Sequence, residues 1–91
     1  MNFGSTVRER RLARGYGLNE LAKRLGISPA YLSRIELGHE KPPRDELIER
    51  LAAILGIELD ELFVKANRLP PDLRKDMPRV VAFYRRGREM K

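Results

Sequence analysis

The run from residue 17 to residue 38, GLNELAKRLGISPAYLSRIELG, constrains this chain more than any other feature. It predicts two short helices joined by a tight turn at Leu25-Gly26-Ile27-Ser28. Gly26 is a small, flexible residue at that turn, and Ala22 is a small one on the helix before it. Ser28 is the expected N-cap of the second of these helices. Pro29 fills its first position, where a missing N–H costs nothing. Leu32 and Ile35 then point inward, and small and polar side chains are left outward. A helix so placed has one face to pack and one face to offer.

Periodicity elsewhere is helical too, and no alternating run of strand length occurs. The first helix is expected over about residues 5–14, with Phe3, Val7 and Leu12 inward and Gly15 ending it. The second begins near Leu18 and buries Leu21, Ala22 and Leu25. The third covers 28–37 and stops at Gly38. Pro42-Pro43 break the chain before a fourth helix, 44–55, which buries Leu47, Leu51, Ile54 and Leu55 and stops at Gly56. A fifth, 59–66, supplies Leu59, Leu62 and Phe63. The reading is an all-α domain of five helices over residues 1–66.

Beyond it, residues 67–91 form a Pro-linked helical extension. Asn67-Arg68-Leu69-Pro70-Pro71 is a stiff connector, because each proline fixes its own φ and disfavours helix in the residue before it. Pro71 opens one or two turns, and Pro78 opens a last helix to about residue 90. A helix so short and basic is unstable alone in water, so its Val80, Val81, Phe83 and Tyr84 must pack on something. That surface is either the chain's own core or a partner: a second copy or another protein.

Charge is unevenly spread. Residues 1–34 carry seven Lys/Arg against Glu9 and Glu20, net +5. Residues 35–67 carry four against eight acids, net −4, and residues 68–91 carry eight against three, again net +5. A basic first third beside an acidic middle predicts one face that meets a polyanion and another that stays away from it. At 91 residues and 42% hydrophobic, the chain suits one domain with one modest core. It has no cysteine for a disulfide or thiolate site, and the single His39 cannot hold a metal alone, so no cofactor is expected. No Gly-rich phosphate loop, paired-carboxylate cleft or nucleophile–base set is present, which sets an enzyme aside. The N-terminal residues turn polar too soon for a signal peptide, and apolar runs fall short of the ~20 residues of a membrane span. The expected setting is the cytoplasm, with no membrane contact.

The pattern Phe3-Gly4, Val7-Arg8, Arg11, Glu20-Leu21-Ala22, Leu25-Gly26-Ile27-Ser28, Tyr31-Leu32-Ser33, Ile35-Glu36, Gly38 and Pro42 resembles the Cro/CI-type (XRE-like) helix-turn-helix family. Leu47, Leu51-Ala52, Leu55-Gly56-Ile57 and Glu61-Leu62 fit the same five-helix, lambda-repressor-like domain, so the resemblance spans residues 3–64. It implies a sequence-specific, double-stranded DNA-binding transcription regulator, a repressor acting as a homodimer on an inverted repeat. In that family the third helix lies in the major groove with its N-terminal residues nearest the base edges. The base-reading residues are then Pro29, Ala30, Ser33 and Arg34, with Arg34 the strongest because a guanidinium pairs bidentately with guanine O6 and N7. Tyr31 lies at the margin, either along the sugar-phosphate edge or packed on the second helix.

Phosphate contacts are expected from Arg11, from Gly17, Leu18 and Asn19 at the start of the second helix, and from His39, Lys41 and Arg44 after the third. The family often carries Gln where this chain has Leu18, and a Ser, Thr or Asn cap where it has Gly17. Anchoring there falls to bare backbone N–H groups and the positive end of the helix dipole. The resemblance further implies a structural ion pair between Arg11 and Glu36. A competing reading, also drawn from relatives of this type, is an antitoxin-like protein that neutralises a partner through residues 67–91 and regulates itself through its DNA-binding domain.

Overall fold

The computed structural model describes residues 2–74 together with Arg79 and Ala82. Val80, Val81, Phe83, Tyr84 and the rest of the expected last helix apart from Arg79 and Ala82 lie outside the described residues. Six helices follow one another, and among the described residues there is no strand: α1 (Phe3–Ala13), α2 (Leu18–Leu25), α3 (Pro29–Leu37), α4 (Asp45–Leu55), α5 (Leu59–Lys65) and the single turn α6 (Pro71–Arg74). The all-α architecture read from the sequence is therefore what the chain adopts.

Local chemistry sets the helix ends. The Asn2 side chain accepts from the Ser5 N–H at 2.9 Å, which starts α1 two residues earlier than periodicity predicts. The Ser28 hydroxyl accepts from the Tyr31 N–H at 3.1 Å, and Pro29 follows at the first position of α3. Between α2 and α3, Gly26 holds φ at 72°, a backbone that an L side chain disfavours. Its N–H returns to the Lys23 carbonyl and that of Ile27 to Ala22, closing the helix in a Schellman-like pair.

The core is one cluster. Val7, Leu21, Ala22, Leu32, Ile48, Leu51, Leu55, Leu62 and Phe63 are fully buried, and α3 packs on both α1 and α2 while α4 joins α1, α2 and α5. Three expectations need correcting. Leu12 is 58% exposed, because the buried stripe of α1 runs Phe3, Gly4, Val7, Arg11, and Leu12 lies one residue, about 100° of helix, off that stripe. Leu59 is exposed as well, since α5 turns Leu62 and Phe63 inward and leaves its first residue at the surface. Ile54 is only half-buried, and Ile48 takes the deeper place on α4.

Gly4 fixes the approach of α1 to α3. A Cβ there would lie 2.7 Å from the carbonyl oxygen of Glu36, so the two backbones meet with no side chain between them. Past Ala66, Arg68 turns back to donate to the Pro42 carbonyl at 2.8 Å and to that of Pro43. Asp45 receives Arg74 through two bonds of 2.8 and 3.0 Å, with Arg68 at 3.5 Å. Residues 67–74 are thereby tied to the start of α4. Arg74 also lies over the Phe63 ring, 5.9 Å from its centroid.

Candidate nucleic-acid interface

Helix α3 is held from within. Leu32 and Ile35 are buried, and Glu36 beside them faces Arg11 of α1. Arg11 Nε meets Glu36 Oε2 at 2.8 Å and Arg11 Nη2 meets Oε1 at 3.0 Å, a bidentate pair with side chains only 10% and 4% exposed. The third nitrogen, Nη1, donates to the Tyr16 carbonyl at 3.0 Å. The hydrogen bond to Glu36 also raises the Arg11 pKa above its ordinary value, so the guanidinium stays charged at any physiological pH. Each Arg11 nitrogen has a partner within the fold, and the residue braces α1 against α3.

The opposite face of α3 is open. Pro29, Ala30 and Arg34 are exposed and Ser33 is half-buried; Leu37, which sequence reasoning passed over, stands 57% exposed at the end of the same stripe. Ala30, Arg34 and Leu37 recur at the i, i+4, i+7 spacing of one helix face. The Arg34 guanidinium lies 5.9 Å from the centroid of the Tyr31 ring, and its Nε donates to Glu40 Oε1 at 3.1 Å. Glu40 is the polar contact that sequence reasoning missed. Its only signal is an acid six residues downstream, across the turn at Gly38.

Tyr31 is half-buried and packs against the core, so its ring belongs to the scaffold while it borders the open face. It shares a groove of about 370 Å³ with Ile27 of the turn and with Arg44 and Arg50 of the loop and α4. Arg50 Nη1 donates to the Leu25 carbonyl at 3.3 Å, a cation on the last turn of α2 where the dipole favours it. Arg44 precedes α4 with its side chain in solvent, 3.8 Å from Glu46. His39 and Lys41 are exposed in the same loop.

At the start of α2, Gly17 and Asn19 are exposed, whereas the Leu18 side chain packs on the core. That terminus is not bare, contrary to the expectation from Gly17. Glu20 reaches back and accepts from the Gly17 N–H at 3.4 Å, half of a capping box, and brings a negative charge to the dipole's positive end. Only backbone is available at Leu18.

The arrangement is thus a short helix braced by an ion pair on one side, capped by serine, joined to its predecessor by a tight turn at Gly26 and open on its far side. A helix-turn-helix family model matches residues 7–62, the stretch that contains α2, the turn and α3. The chain belongs to the helix-turn-helix family. The resemblance read from the sequence to the XRE-like branch is borne out by this match and by the regulators the chain is similar to. It is 40% identical over 61 residues to the HTH-type transcriptional regulator SlrR of Bacillus subtilis (strain 168), covering 67% of this chain and 40% of SlrR. It is 32% identical over 74 residues to SinR of the same organism, covering 81% of this chain and 67% of SinR. A crystal structure of SinR, the master regulator for biofilm formation, in complex with DNA matches with a TM-score of 0.61 and 31% identity, over 67% of this chain and 97% of that one. The chain spans about half the length of the curated relatives it matches first. Both relatives are named as HTH-type transcriptional regulators. Among the described residues no helix is long and apolar enough to cross a membrane.

Proposed function

We propose that this helix-turn-helix chain is a cytoplasmic transcriptional repressor that binds double-stranded DNA as a homodimer, with α3 in the major groove of each half-site. The observation that carries the reading is the two-sidedness of α3. Its inner face is locked by Leu32, Ile35 and the Arg11–Glu36 pair, while Ala30, Ser33 and Arg34 are available on the outer face. Likeness of fold and sequence to SinR, which was solved in complex with DNA, supports DNA as the partner. Arg34 reads a base edge, with Pro29, Ala30 and Ser33 shaping the contact. Asn19, His39, Lys41, Arg44 and the backbone at Gly17 and Leu18 meet phosphates, and Tyr31 borders them. Residues 1–66 are the DNA-binding unit, and the extension, residues 67–91, supplies the second contact that dimerisation requires.

One module of this size covers a single half-site, so two copies have to act on one face of the duplex, with half-site centres ~34 Å apart. Selection of bound duplexes from a random pool tests this directly. The expected product is a short inverted repeat with that spacing, and a repeat-free consensus would sink the dimer reading. Replacing Lys41 with alanine should weaken binding to all sequences alike and lower the salt slope by about one unit. Repression itself is checked by a reporter whose promoter carries the selected site.

A further inference from the structure

One charge at the open end of α3, the Glu40 carboxylate, is the opposite of what a DNA-facing surface calls for. After α3 ends, the His39 N–H bonds back to the Arg34 carbonyl at 2.9 Å, which folds the following residue toward the helix it has just left. Glu40 then stands beside Arg34, its Oε1 3.1 Å from Nε, with side chains 39% and 49% exposed respectively. A carboxylate beside the strongest base-reading candidate repels every phosphate that approaches, and it lowers affinity for DNA in general. Its retention at the surface is not explained by stability, since an exposed pair of this kind contributes little.

Geometry offers the reason. The bond engages Nε alone, and among the described contacts no acceptor takes Nη1 or Nη2. The Tyr31 ring lies to one side of the same guanidinium. Arg34 is thereby held at its root, with the outer fork left free, and that fork presents the paired donors that match guanine O6 and N7. A loose arginine on a basic surface would otherwise satisfy itself on the nearest phosphate, which carries no sequence information.

Resting on the proposed docking of α3, we propose that Glu40 is a positioning residue for sequence selectivity: it orients Arg34 toward base edges and disfavours the arginine–phosphate contacts that any DNA would provide. Selectivity is a difference between two affinities, and this residue acts on both, strengthening the right contact and opposing the wrong one.

The two actions separate by substitution in the full chain. Glu40→Gln keeps an oxygen that can accept from Arg34 Nε but loses the charge. Glu40→Ala loses both. Binding is read by fluorescence anisotropy on the selected duplex, on duplexes altered one base pair at a time, and on a scrambled duplex, each across a salt series. Glu40→Ala should bind the scrambled duplex several-fold tighter, with a salt slope steeper by about one unit as Arg34 moves to a phosphate. Its preference at the base pair that Arg34 reads should fall about tenfold. Glu40→Gln should share the tighter non-specific binding and keep most of that preference. Arg34→Ala serves as the reference. If it erases preference at one base pair and Glu40→Ala leaves that preference within twofold of the parent, the positioning role is overturned while the docking of α3 stands. If Arg34→Ala itself changes no base preference, α3 does not read bases through Arg34, and both ideas go. Preference at a single base pair is a readout that a purely structural role for Glu40 would not move.

Discussion

Helix α3 holds two arginine–glutamate pairs, one on each side. On the inner side Glu36 takes Arg11 through two bonds, at 2.8 and 3.0 Å, with both side chains nearly excluded from water. On the outer side Arg34 meets Glu40 through one bond at 3.1 Å, with both side chains close to half exposed. The chemistry is the same and the consequences are not. In a low-dielectric setting, two desolvated charges are tolerable only while each has the other, so the inner pair fixes one arrangement of α1 against α3. In water the outer pair is nearly neutral in energy, and for that reason it can open, reorient and answer to a ligand. Exposure, more than residue type, decides which pair builds the fold and which is left for function.

The comparison breaks most easily from the inside. Arg11→Met leaves the Glu36 carboxylate buried without a partner and the Tyr16 carbonyl without its donor. The expected cost is about 3 kcal/mol, the usual scale for removing one member of a buried pair. In a domain of this size that lowers Tm by roughly 4–8 °C for each kcal/mol. Arg11→Met combined with Glu36→Leu should recover a good part of the loss, because no orphaned charge remains. Thermal melts of the two single variants and the double variant decide the matter: additive losses would show that the two residues do not act as a unit.

Next in size is the backbone contact that allows the inner pair to form. Gly4→Ala places a methyl group 2.7 Å from the Glu36 carbonyl oxygen, so α1 must shift away from α3. About 1–3 kcal/mol of stability should be lost, in the range of overpacked sites. A melt unchanged from the parent would mean that α1 slides freely, and the brace would then be less rigid than its geometry suggests.

These two positions also mark what was legible in the sequence. The ends of α2, α3 and α4 were readable because they are local: Ser28 with Pro29, Gly26, Gly38 and Gly56 act on backbone within a few residues of themselves. The facing of α1 was not legible from hydrophobic periodicity, and only the resemblance pointed to the Arg11–Glu36 pair. Hydrophobicity favours Leu12 over Arg11 for the interior, and the preference is reversed by an acid 25 positions away in the chain. Gly4 gives no hydrophobic signal at all, though it decides the α1–α3 approach. At the interface, Arg34 was readable as an exposed donor on a helix face. Glu40 was not, because its meeting with Arg34 depends on the path of a loop after the helix. The Glu20 bond to Gly17 was masked in the same way, by a glycine that reads as an uncapped start.

A third pairing sharpens the contrast at intermediate strength. The hydrogen bonds from Arg74, helped by the charge of Arg68, hold the Asp45 carboxyl below its ordinary range. A carboxylate with a depressed folded pKa contributes stability above its unfolded value, about 3.9, and loses that contribution as pH falls through the lower, folded value. The attachment of residues 67–74 should accordingly hold at neutral pH and loosen only in strong acid, before the core does. Hydrogen exchange at the amides of Leu73 and Arg74, whose N–H groups bond to Pro70, follows this locally. Asp45→Asn should show the loosened state already at pH 7, and equal protection in both proteins would rule the pairing out as the tether.

The smallest expected effect concerns the outer pair, and its smallness is the point. Glu40→Ala removes a single exposed bond in a loop, so its melt should stay within about 0.2–1 kcal/mol of the parent. A larger loss would place Glu40 among the residues that hold α3 in place, beside Glu36, and the division between the two faces of the helix would fail. Held within that range, the same substitution changes which DNA the chain prefers while leaving its stability almost untouched. Arg11→Met does the reverse: it lowers affinity for every duplex in proportion to the folded protein lost, and leaves the order of preference among duplexes as it was. Measuring both properties for both variants therefore separates a residue that builds the reading helix from one that directs it.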